Sequence, residues 1–273
     1  MALSAADFES IRTMVRDLSA ISLDPGKEYL VESRLTPLAV QEGMASLHAL
    51  IEAVSKAGNS ALRHKVVDAM TTNETSFFRD VEPFNVLRTQ VVPAVMACRA
   101  NERRLNIWCG AASTGQEPYT VAMVLREHFP HLATWDVSFL ATDLSRTVLD
   151  KARSGRFAQL EVNRGLPASF LIKHFERKDA YWEIKDSIRR MIRFEELNLI
   201  NAWPQWPAMD IVFLRNVLIY FDIDVKKLIL SRAAERMRPG GYLFLGGAET
   251  TLNLEDRFER MPFERAGCYR LKK

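Results

Sequence analysis

Short apolar runs alternate with segments of helical spacing from Leu105 onward, and this alternation restricts the fold more than any other feature of the sequence. The apolar runs are LNIWCG, VSFLATDL, DIVFLRNV and YLFLGGAE, with a turn-like RPGG before the last of them. Amphipathic segments lie between them, including one in which Ser145 is a typical helix cap and Gly155 a typical helix end. Strands that alternate with helices predict a parallel sheet covered on both faces. We therefore expect an α/β domain over residues 101–273.

The first 75 residues follow a different pattern, in which apolar residues recur every three or four positions. They include Phe8, Ile11, Val15 and Leu18, then Leu47, Leu50, Ile51 and Val54, then Leu62, Val66 and Met70. This spacing predicts short helices. We therefore expect an all-α N-terminal domain over residues 1–75, followed by a linker and a connecting helix over residues 76–100.

Residues 156–197 interrupt the alternation of the second domain. The segment AYWEIKDSIRRMIRFEEL contains two β-rich runs joined by Lys185-Asp186-Ser187. This pattern is typical of a hairpin. We expect a small antiparallel β insertion within the α/β domain.

Charge, cysteines and histidines indicate the environment of the protein. The chain has 37 Lys and Arg and 34 Asp and Glu, and the net charge of +3 is too small to predict binding of nucleic acid. No stretch approaches the roughly 18 uninterrupted apolar residues of a membrane span. Three well-separated cysteines are typical of reduced thiols, and the five histidines lack partners at metal-ligand spacing. We expect a cytoplasmic monomer with no metal and no membrane insertion.

The sequence WCGAASTGQEP, at the end of the first predicted strand, indicates a ligand site. Gly110 allows the backbone to approach a ligand closely, and the following helix begins with free amide donors. Gln116 and Glu117 replace the lysine and hydroxyl of a P-loop, and Ala112 replaces the middle glycine of a dinucleotide loop. A carboxylate here would repel a phosphate. The remaining ligand type has a cationic, phosphate-free part, and S-adenosylmethionine has one.

Polar residues also end the other predicted strands, where an α/β sheet binds its ligands. Asp143 can accept the ribose hydroxyls of an adenosine, or alternatively help to cap the next helix. Glu117 can hold the cationic side of the cofactor, or alternatively form a capping box with Thr114. Asn198 and the pair Arg215-Asn216 are strand-end polar groups that favour a cleft, because burial without a partner is costly.

Five segments together resemble a known family. They are TTNETSFFRD, WCGAASTGQEPYTVAM, ATDLSRTVLDKARSGRF, LRNVLIYFD and RPGGYLFLGGAE. Their order and spacing resemble the chemotaxis receptor glutamate O-methyltransferases, the CheR family, over almost the whole chain. The resemblance implies a Rossmann-like class I S-adenosylmethionine-dependent methyltransferase domain with a small antiparallel β insertion, preceded by an all-α domain.

The resemblance also implies a cofactor site. The predicted cofactor-binding residues, including the glycine of the WCGAASTGQEP segment, are Asn73, Thr75, Arg79, Gly110, Glu117, Asp143, Asn198, Leu199, Arg215 and Asn216. The first three lie in the polar segment TTNETSFFRD and would reach the cofactor from there, and Glu117 and Asp143 would bind its amino and ribose ends. Asn198-Leu199 would border the adenine, and Arg215-Asn216 would close the pocket near the methionyl part.

The acceptor implied by the family is a glutamate side chain on the cytoplasmic helical region of bacterial chemoreceptors, with S-adenosylhomocysteine as the second product. Such a carboxylate is already ionised at neutral pH, since the pKa of glutamate is about 4.3. The enzyme therefore needs alignment and exclusion of water rather than a strong base. Arg79 is expected to attract the carboxylate, with Tyr220 as a second candidate.

Receptor recognition in the family uses two surfaces. Some members bind a receptor tail peptide by strand addition at an insertion that has a Gly-rich loop. The segment HFERKDAYWEI is short and lacks glycine, so we expect recognition without a C-terminal pentapeptide tether. Lys27 and Arg34, seven residues apart, are candidates for a basic docking face.

Two alternative functions remain open for the chain. One is a non-catalytic S-adenosylmethionine-binding signalling module, and the other is a methyltransferase of another acceptor.

Overall fold

The computed structural model describes residues 3–56 and 58–273, and the chain forms two compact units. One unit extends up to Thr72 and includes Tyr220–Val225. The other comprises Asn73–Ile219 and Lys226–Lys273.

The first unit is helical. Its helices are α1 (Ala5–Ser19), α2 (Glu28–Gln41), α3 (Leu47–Ser55) and α4 (Ser60–Met70). Ser4 and Ser46 cap α1 and α3 by accepting hydrogen bonds from the amides of Asp7 and Ala49, each at 3.1 Å. Apolar side chains predicted from the helical spacing fill the core of the unit. The prediction of an all-α N-terminal domain is confirmed.

Arg34 of α2 is engaged within this unit. Its Nη1 donates to the carbonyls of Met70 at 2.6 Å and Thr71 at 3.0 Å, where α4 ends. Lys27 pairs with Asp24 at 2.8 Å. Arg34 thus satisfies carbonyls that a helix C-terminus leaves without partners, and both predicted docking cations have partners in their own unit.

The second unit contains the strands. They are β1 (Arg104–Gly110), β2 (Asp136–Asp143), β3 (Arg156–Ala158), β4 (Phe175–Lys178), β5 (Tyr181–Ile184), β6 (Arg193–Glu196), β7 (Met209–Leu214), β8 (Met237–Leu245), β9 (Phe258–Arg260) and β10 (Cys268–Leu271). A seven-stranded sheet has the order β6-β2-β1-β7-β8-β10-β9. Its first five strands are parallel, and β10 and β9 are antiparallel additions at one edge. The predicted parallel sheet is confirmed, whereas the antiparallel C-terminal pair was not predicted.

Helices connect these strands along the chain. They are α5 (Glu82–Val86), a π-helical turn (Leu87–Val91), α6 (Val92–Cys98), α7 (Gln116–His128), a 3-10 turn (Pro130–Thr134), α8 (Arg146–Ser154), α9 (Gln159–Asn163), α10 (Ala168–His174), α11 (Asp186–Arg189), a 3-10 turn (Leu218–Tyr220) and α12 (Ile223–Arg236). Ser145 accepts from the amide of Val148 at the start of α8, and Gly155 ends that helix with a φ of 65°, as predicted. No helix in residues 3–56 and 58–273 is both long and apolar enough to cross a membrane.

The small sheet has the order β3-β5-β4 and is antiparallel, so the predicted antiparallel insertion is confirmed. The predicted hairpin within it is wrong. Tyr181–Ile184 pairs with β3 and β4, whereas Arg193–Glu196 pairs in parallel with β2 of the large sheet. The short helix α11 lies between the two runs, and Phe194 is buried in the core of the large sheet. Burial of Phe194 therefore favours pairing of Arg193–Glu196 with the distant strand β2 over pairing with the adjacent run Tyr181–Ile184.

The RPGG sequence lies within the span of β8, at a point where the strand is interrupted. The register of β8 against β7 shifts between Met209 and Ile211. Gly240 has a φ of 82° at this irregularity. Between the pairs Met209–Met237 and Ile211–Tyr242, β7 has one residue and β8 has four, so residues 238–241 form a turn-like excursion with Pro239 and Gly240 at its centre.

Candidate cofactor site

The last position of β1 leaves room only for glycine. A Cβ on Gly110 would lie 2.6 Å from Cδ2 of Leu214 and 2.9 Å from the Trp108 ring. Ala111 and Ser113 then adopt positive φ values of 53° and 49°, which are rare for residues other than glycine and cluster at functional sites. The loop therefore turns tightly at the carboxyl end of β1.

Asp143 ties this loop to the next strand. Its carboxylate accepts hydrogen bonds from the amide of Ser113 at 2.8 Å and from the amide of Ser145 at 2.9 Å. The residue is 7% exposed. Ser145 itself caps α8, so Asp143 is placed between two strand-end loops. A carboxylate has about four lone-pair sites, so hydroxyl groups as well as amides are suitable donors to it.

Glu117, in the first turn of α7, pairs with Arg215 at the end of β7. Nη1 of Arg215 lies 2.6 Å from a carboxylate oxygen of Glu117, and the two side chains are 1% and 14% exposed. Burial raises the pKa of Glu117 above that of an ordinary glutamate, although the Arg215 charge opposes this rise. The site therefore contains a desolvated carboxylate held by one cation.

The capping box that was the alternative interpretation of Glu117 does not form. The backbone of Gly115, with a φ of 95°, occupies the cap position of α7. The hydroxyl of Thr114 bonds to Oε1 of Gln116 at 2.7 Å. Glu117 is instead directed to Arg215, because a buried guanidinium is a stronger partner than a backbone amide.

Arg215 also holds the linker, residues 73–80. Its Nη2 donates to a carboxylate oxygen of Asp80 at 2.8 Å and to the carbonyl of Arg79 at 3.1 Å. Its guanidinium lies 5.6 Å from the Phe84 ring centroid. Its Nε is buried without a hydrogen-bond partner among the described residues. One buried arginine thus links α7, β7 and the linker.

The linker is fixed at further points. The carbonyl of Asn73 accepts from the hydroxyl of Ser113 at 2.9 Å, and the amide of Phe78 donates to the hydroxyl of Thr120 at 3.2 Å. Arg79 is partly exposed, and its Nη1 donates to the carbonyl of Glu74 at 3.1 Å.

Two cavities lie at this edge of the sheet. Asn73 and Thr75 line one of about 350 Å³, together with Thr114 and Gln116. Arg215 lines the other, of about 430 Å³. Of the linker residues predicted to bind the cofactor, Asn73 and Thr75 are therefore beside the β1 loop.

Asn198 and Leu199 follow β6 at the same edge. The amide of Leu197 donates to the Asp143 carbonyl at 2.9 Å, which brings this segment beside the end of β2. Oδ1 of Asn198 accepts from the amide of Ile200 at 3.2 Å. The Leu199 carbonyl accepts from Nε1 of Trp203 at 3.0 Å. The structure thus assembles the predicted residues of four strand ends.

Tyr220 lies in a different compact unit from this cluster. It is grouped with the helical bundle, where its carbonyl accepts from the amide of Ser22 at 3.0 Å. Its role in the chemistry stays a prediction.

Sequence reasoning missed two acidic residues. Asp80 anchors Arg215, and Glu249, after the end of β8, accepts hydrogen bonds from amides of the loop that begins with Asn216. An acidic residue at a strand end was the signal used for Asp143, and the glutamate of GGAE after YLFL is a similar signal.

The side chains of this edge fit S-adenosylmethionine. Carboxylates at Glu117 and Asp143 suit an ammonium group and ribose hydroxyls, and they disfavour phosphate. The buried Nε–H of Arg215 is a donor that a ligand carboxylate can satisfy. No group of three or more His, Cys, Asp or Glu side chains in the described part of the chain is placed to hold a metal ion. The sheet order and this edge define a class I S-adenosylmethionine-dependent methyltransferase.

Comparison with family models agrees. Residues 73–266 match the CheR methyltransferase, SAM binding domain, and residues 6–71 match the CheR methyltransferase, all-alpha domain. The chain belongs to the CheR methyltransferase family.

Relatives share the full length of the chain. It is 40% identical over 277 residues to chemotaxis protein methyltransferase 1 of Pseudomonas aeruginosa, with 100% of both chains covered. It is 38% identical over 274 residues to a chemotaxis protein methyltransferase of Vibrio parahaemolyticus, with 99% of this chain and 98% of that one covered. Among solved structures, a DhpI-SAH complex gives a TM-score of 0.32 at 15% identity, covering 71% of this chain and 75% of that one. A likeness at that level adds nothing to the assignment.

Proposed function

We propose that this chain transfers the methyl group of S-adenosylmethionine to glutamate side chains on the cytoplasmic helical region of bacterial chemoreceptors. The products are the glutamate methyl ester and S-adenosylhomocysteine. The observation that carries the proposal is that the buried Glu117–Arg215 pair and the Asp143 carboxylate both lie at the carboxyl edge of the sheet of a CheR-family domain. The names of the full-length relatives, all chemotaxis protein methyltransferases, support the receptor as the acceptor.

The cofactor-binding roles follow from charge and position. Glu117 would accept from the ammonium group, Asp143 would accept from the ribose hydroxyls, and Arg215 would donate through its buried Nε–H to the methionyl carboxylate. Asn73 and Thr75 would contact the cofactor from the linker. When bound, S-adenosylmethionine supplies a methyl group activated by the adjoining sulfonium.

The remaining predicted residues enclose the cofactor. Leu199, 7% exposed, would provide an apolar border to the adenine, with Asn198 beside it. Asn216, which follows Arg215 directly, would close the methionyl side. Gly110 would allow the backbone to approach the ligand.

The acceptor needs placement more than activation. A glutamate carboxylate is anionic at neutral pH, so it can displace the sulfur without losing a proton. Arg79 would attract the carboxylate. Its guanidinium has five N–H donors, and the hydrogen bond to the Glu74 carbonyl uses one of them. Tyr220 is the second candidate for this role. Alignment and exclusion of water would then supply the rate acceleration.

We also propose that receptor modification does not require a C-terminal tail peptide. Strands β4 and β5 are separated by only Asp179 and Ala180, and Asp179 takes the positive φ of 46° itself. The hairpin therefore lacks the longer Gly-rich loop of members that bind a tail. Equal methylation rates for a receptor fragment with and without its last five residues are expected. A tenfold or larger loss on truncation would contradict this proposal.

The reaction is tested by transfer of labelled methyl from S-adenosylmethionine to a chemoreceptor cytoplasmic fragment, followed by mild alkali. Release of the label as methanol is expected, because carboxyl esters are cleaved by base. Label that resists alkali would contradict a carboxylate acceptor. Absence of transfer from a protein that still binds S-adenosylhomocysteine in a titration would contradict catalysis and favour a non-catalytic signalling module. The Glu117→Gln variant is the control, because methyl transfer that persists in it would not depend on the proposed cofactor site.

A further inference from the structure

Glu249 is a buried carboxylate whose hydrogen-bond partners are backbone amides. It is 9% exposed. One oxygen accepts from Asn216 at 2.8 Å and Gly246 at 2.6 Å, and the other from Val217 at 2.9 Å, Leu218 at 2.7 Å and Ile219 at 3.3 Å. The ion pairs of the described residues include no cationic partner for it. Converging amide dipoles take the place of a counter-charge.

The loop needs an acceptor at this point. Residues 216–219 leave β7 and turn at once, with Asn216 in the left-handed region at a φ of 57°. Their amides point to one side, and those of Val217 and Leu218 are in buried residues. Buried amides without an acceptor are strongly disfavoured. The conformation of this loop therefore depends on the carboxylate.

The neighbouring strand end is shaped for the same contact. A Cβ on Gly246 would lie 2.6 Å from Nδ2 of Asn216 and 2.8 Å from Oε2 of Glu249. The glycine thus lets the end of β8 approach the loop closely enough for one carboxylate to reach both.

The loop begins directly after Arg215, the residue that pairs with Glu117 and Asp80. A shift of the loop would move the β7 end and the guanidinium attached to it. We propose that Glu249 is a positioning residue for the cofactor site, holding residues 216–219 so that Asn216 and Arg215 keep the geometry that binds S-adenosylmethionine. This inference rests on the cofactor roles of Asn216 and Arg215 proposed above.

The role requires an anion with two acceptor oxygens. In Glu249→Gln the side chain keeps its length, but an NH2 group faces amides that are themselves donors. In Glu249→Asp the charge stays, but the carboxylate is one methylene too short to reach every amide. The glutamine variant should therefore disturb the loop more than the aspartate variant does.

Asp210 provides a matched control in the same sheet. It is 2% exposed, and its carboxylate accepts from the amide of Asn106 at 2.9 Å and from Nε of Arg99 at 2.9 Å. It lies near the start of β7, at the opposite end of the strand from the site. Asp210→Asn therefore removes the same charge from a buried carboxylate without touching the 216–219 loop.

The test combines calorimetric titration of S-adenosylhomocysteine with amide hydrogen exchange of the protein without ligand. Glu249→Gln should weaken binding by about tenfold or more and speed exchange at residues 217–219. Glu249→Asp should lose less affinity than this. Asp210→Asn should keep its affinity within about twofold, even if its melting temperature falls.

Affinity of Glu249→Gln within twofold of the wild type, or an equal loss in Asp210→Asn, would overturn the proposal. If Glu249→Gln does not fold, Glu249→Asp decides the question, since unchanged affinity and exchange in that variant also overturn it. The titration needs no methyl acceptor. A failure to form methyl ester would therefore contradict the proposed reaction, whereas the measured affinities would still test the role of Glu249.

Discussion

Arg215 and Glu117 are joined by a 2.6 Å contact in which the arginine side chain is 1% exposed and the glutamate side chain 14%. The same guanidinium lies 2.8 Å from Asp80, a residue that is half-exposed. The arginine is thus the buried centre of the arrangement, and the linker reaches in to it from the surface. Its removal affects both the stability of the unit and the cofactor site.

Replacing Arg215 with methionine should destabilise the protein, because a desolvated carboxylate at Glu117 loses its cation. Breaking one side of a buried pair typically costs about 3–5 kcal/mol. Adding Glu117→Gln should recover part of this loss, since the second change removes the unpaired charge. Urea denaturation of the two single variants and the double variant measures the coupling. Strictly additive free energies of unfolding would contradict the pairing.

The pH dependence of cofactor affinity should report Glu117. Burial raises its pKa in the folded protein, and the ionised form is the one that suits an ammonium group. Affinity for S-adenosylhomocysteine should therefore fall as pH is lowered through the raised pKa, starting at a higher pH than for an ordinary glutamate.

Folding stability should depend on Glu117 with the opposite sign. A carboxyl group whose folded pKa is raised contributes stability below its unfolded pKa, and that contribution is lost as pH rises through the folded value. Glu117→Gln should flatten both dependences. Titration and denaturation across pH 4–8 would contradict the assignment if the variant kept the wild-type profiles.

Much of the fold could be predicted from local sequence patterns, because helix caps and helix ends are determined by residues close together in the chain. Ser145 caps α8 and Gly155 ends it, and both signals act within one helical turn. The hairpin prediction failed because periodicity does not specify a partner. Arg193–Glu196 is β-rich, yet its neighbour is β2, some 50 residues away in sequence.

Long-range partners also limit what the sequence indicates about the site. Asp143 is recognisable because it ends β2, and Glu117 because it lies in the first turn of the helix after β1. Asp80 is not, since its contact with Arg215 spans 135 positions. Four of the five amides that bind Glu249 lie 30 to 33 positions earlier, so its acidic character alone does not predict what it holds.

Gly110→Ala should lower stability, because its Cβ would lie 2.6 Å from Cδ2 of Leu214. Overpacking of this kind typically costs about 1–3 kcal/mol. Gly247→Ala is the control, because a Cβ there meets no atom within 4 Å in the described part of the structure. Thermal denaturation compares the two. Equal melting temperatures for both variants would show that the backbone around Gly110 accommodates the added Cβ without loss of stability.

Arg34→Ala should destabilise the helical unit rather than act only on receptor docking. The guanidinium donates to the carbonyls of Met70 and Thr71, and loss of charged hydrogen bonds costs about 1.5–3 kcal/mol. Lys27→Ala is the control, because its partner Asp24 is exposed and such pairs add little. Unchanged unfolding of Arg34→Ala together with reduced receptor methylation would assign Arg34 to docking instead.

Arg79→Ala should lower methyl transfer strongly while the protein stays folded. The side chain is partly exposed and donates one hydrogen bond among the described residues, to the Glu74 carbonyl, so little stability depends on it. Loss of one electrostatic donor to a reacting group typically reduces turnover by about 10²–10³. Arg164→Ala is the control, because Arg164 pairs with the Glu74 side chain and lines the same cavity as Asn73 and Thr75. Initial rates with labelled cofactor measure both variants. Near-normal turnover of Arg79→Ala would exclude it from cofactor and acceptor binding, whereas an equal loss in both variants would assign the effect to the linker as a whole.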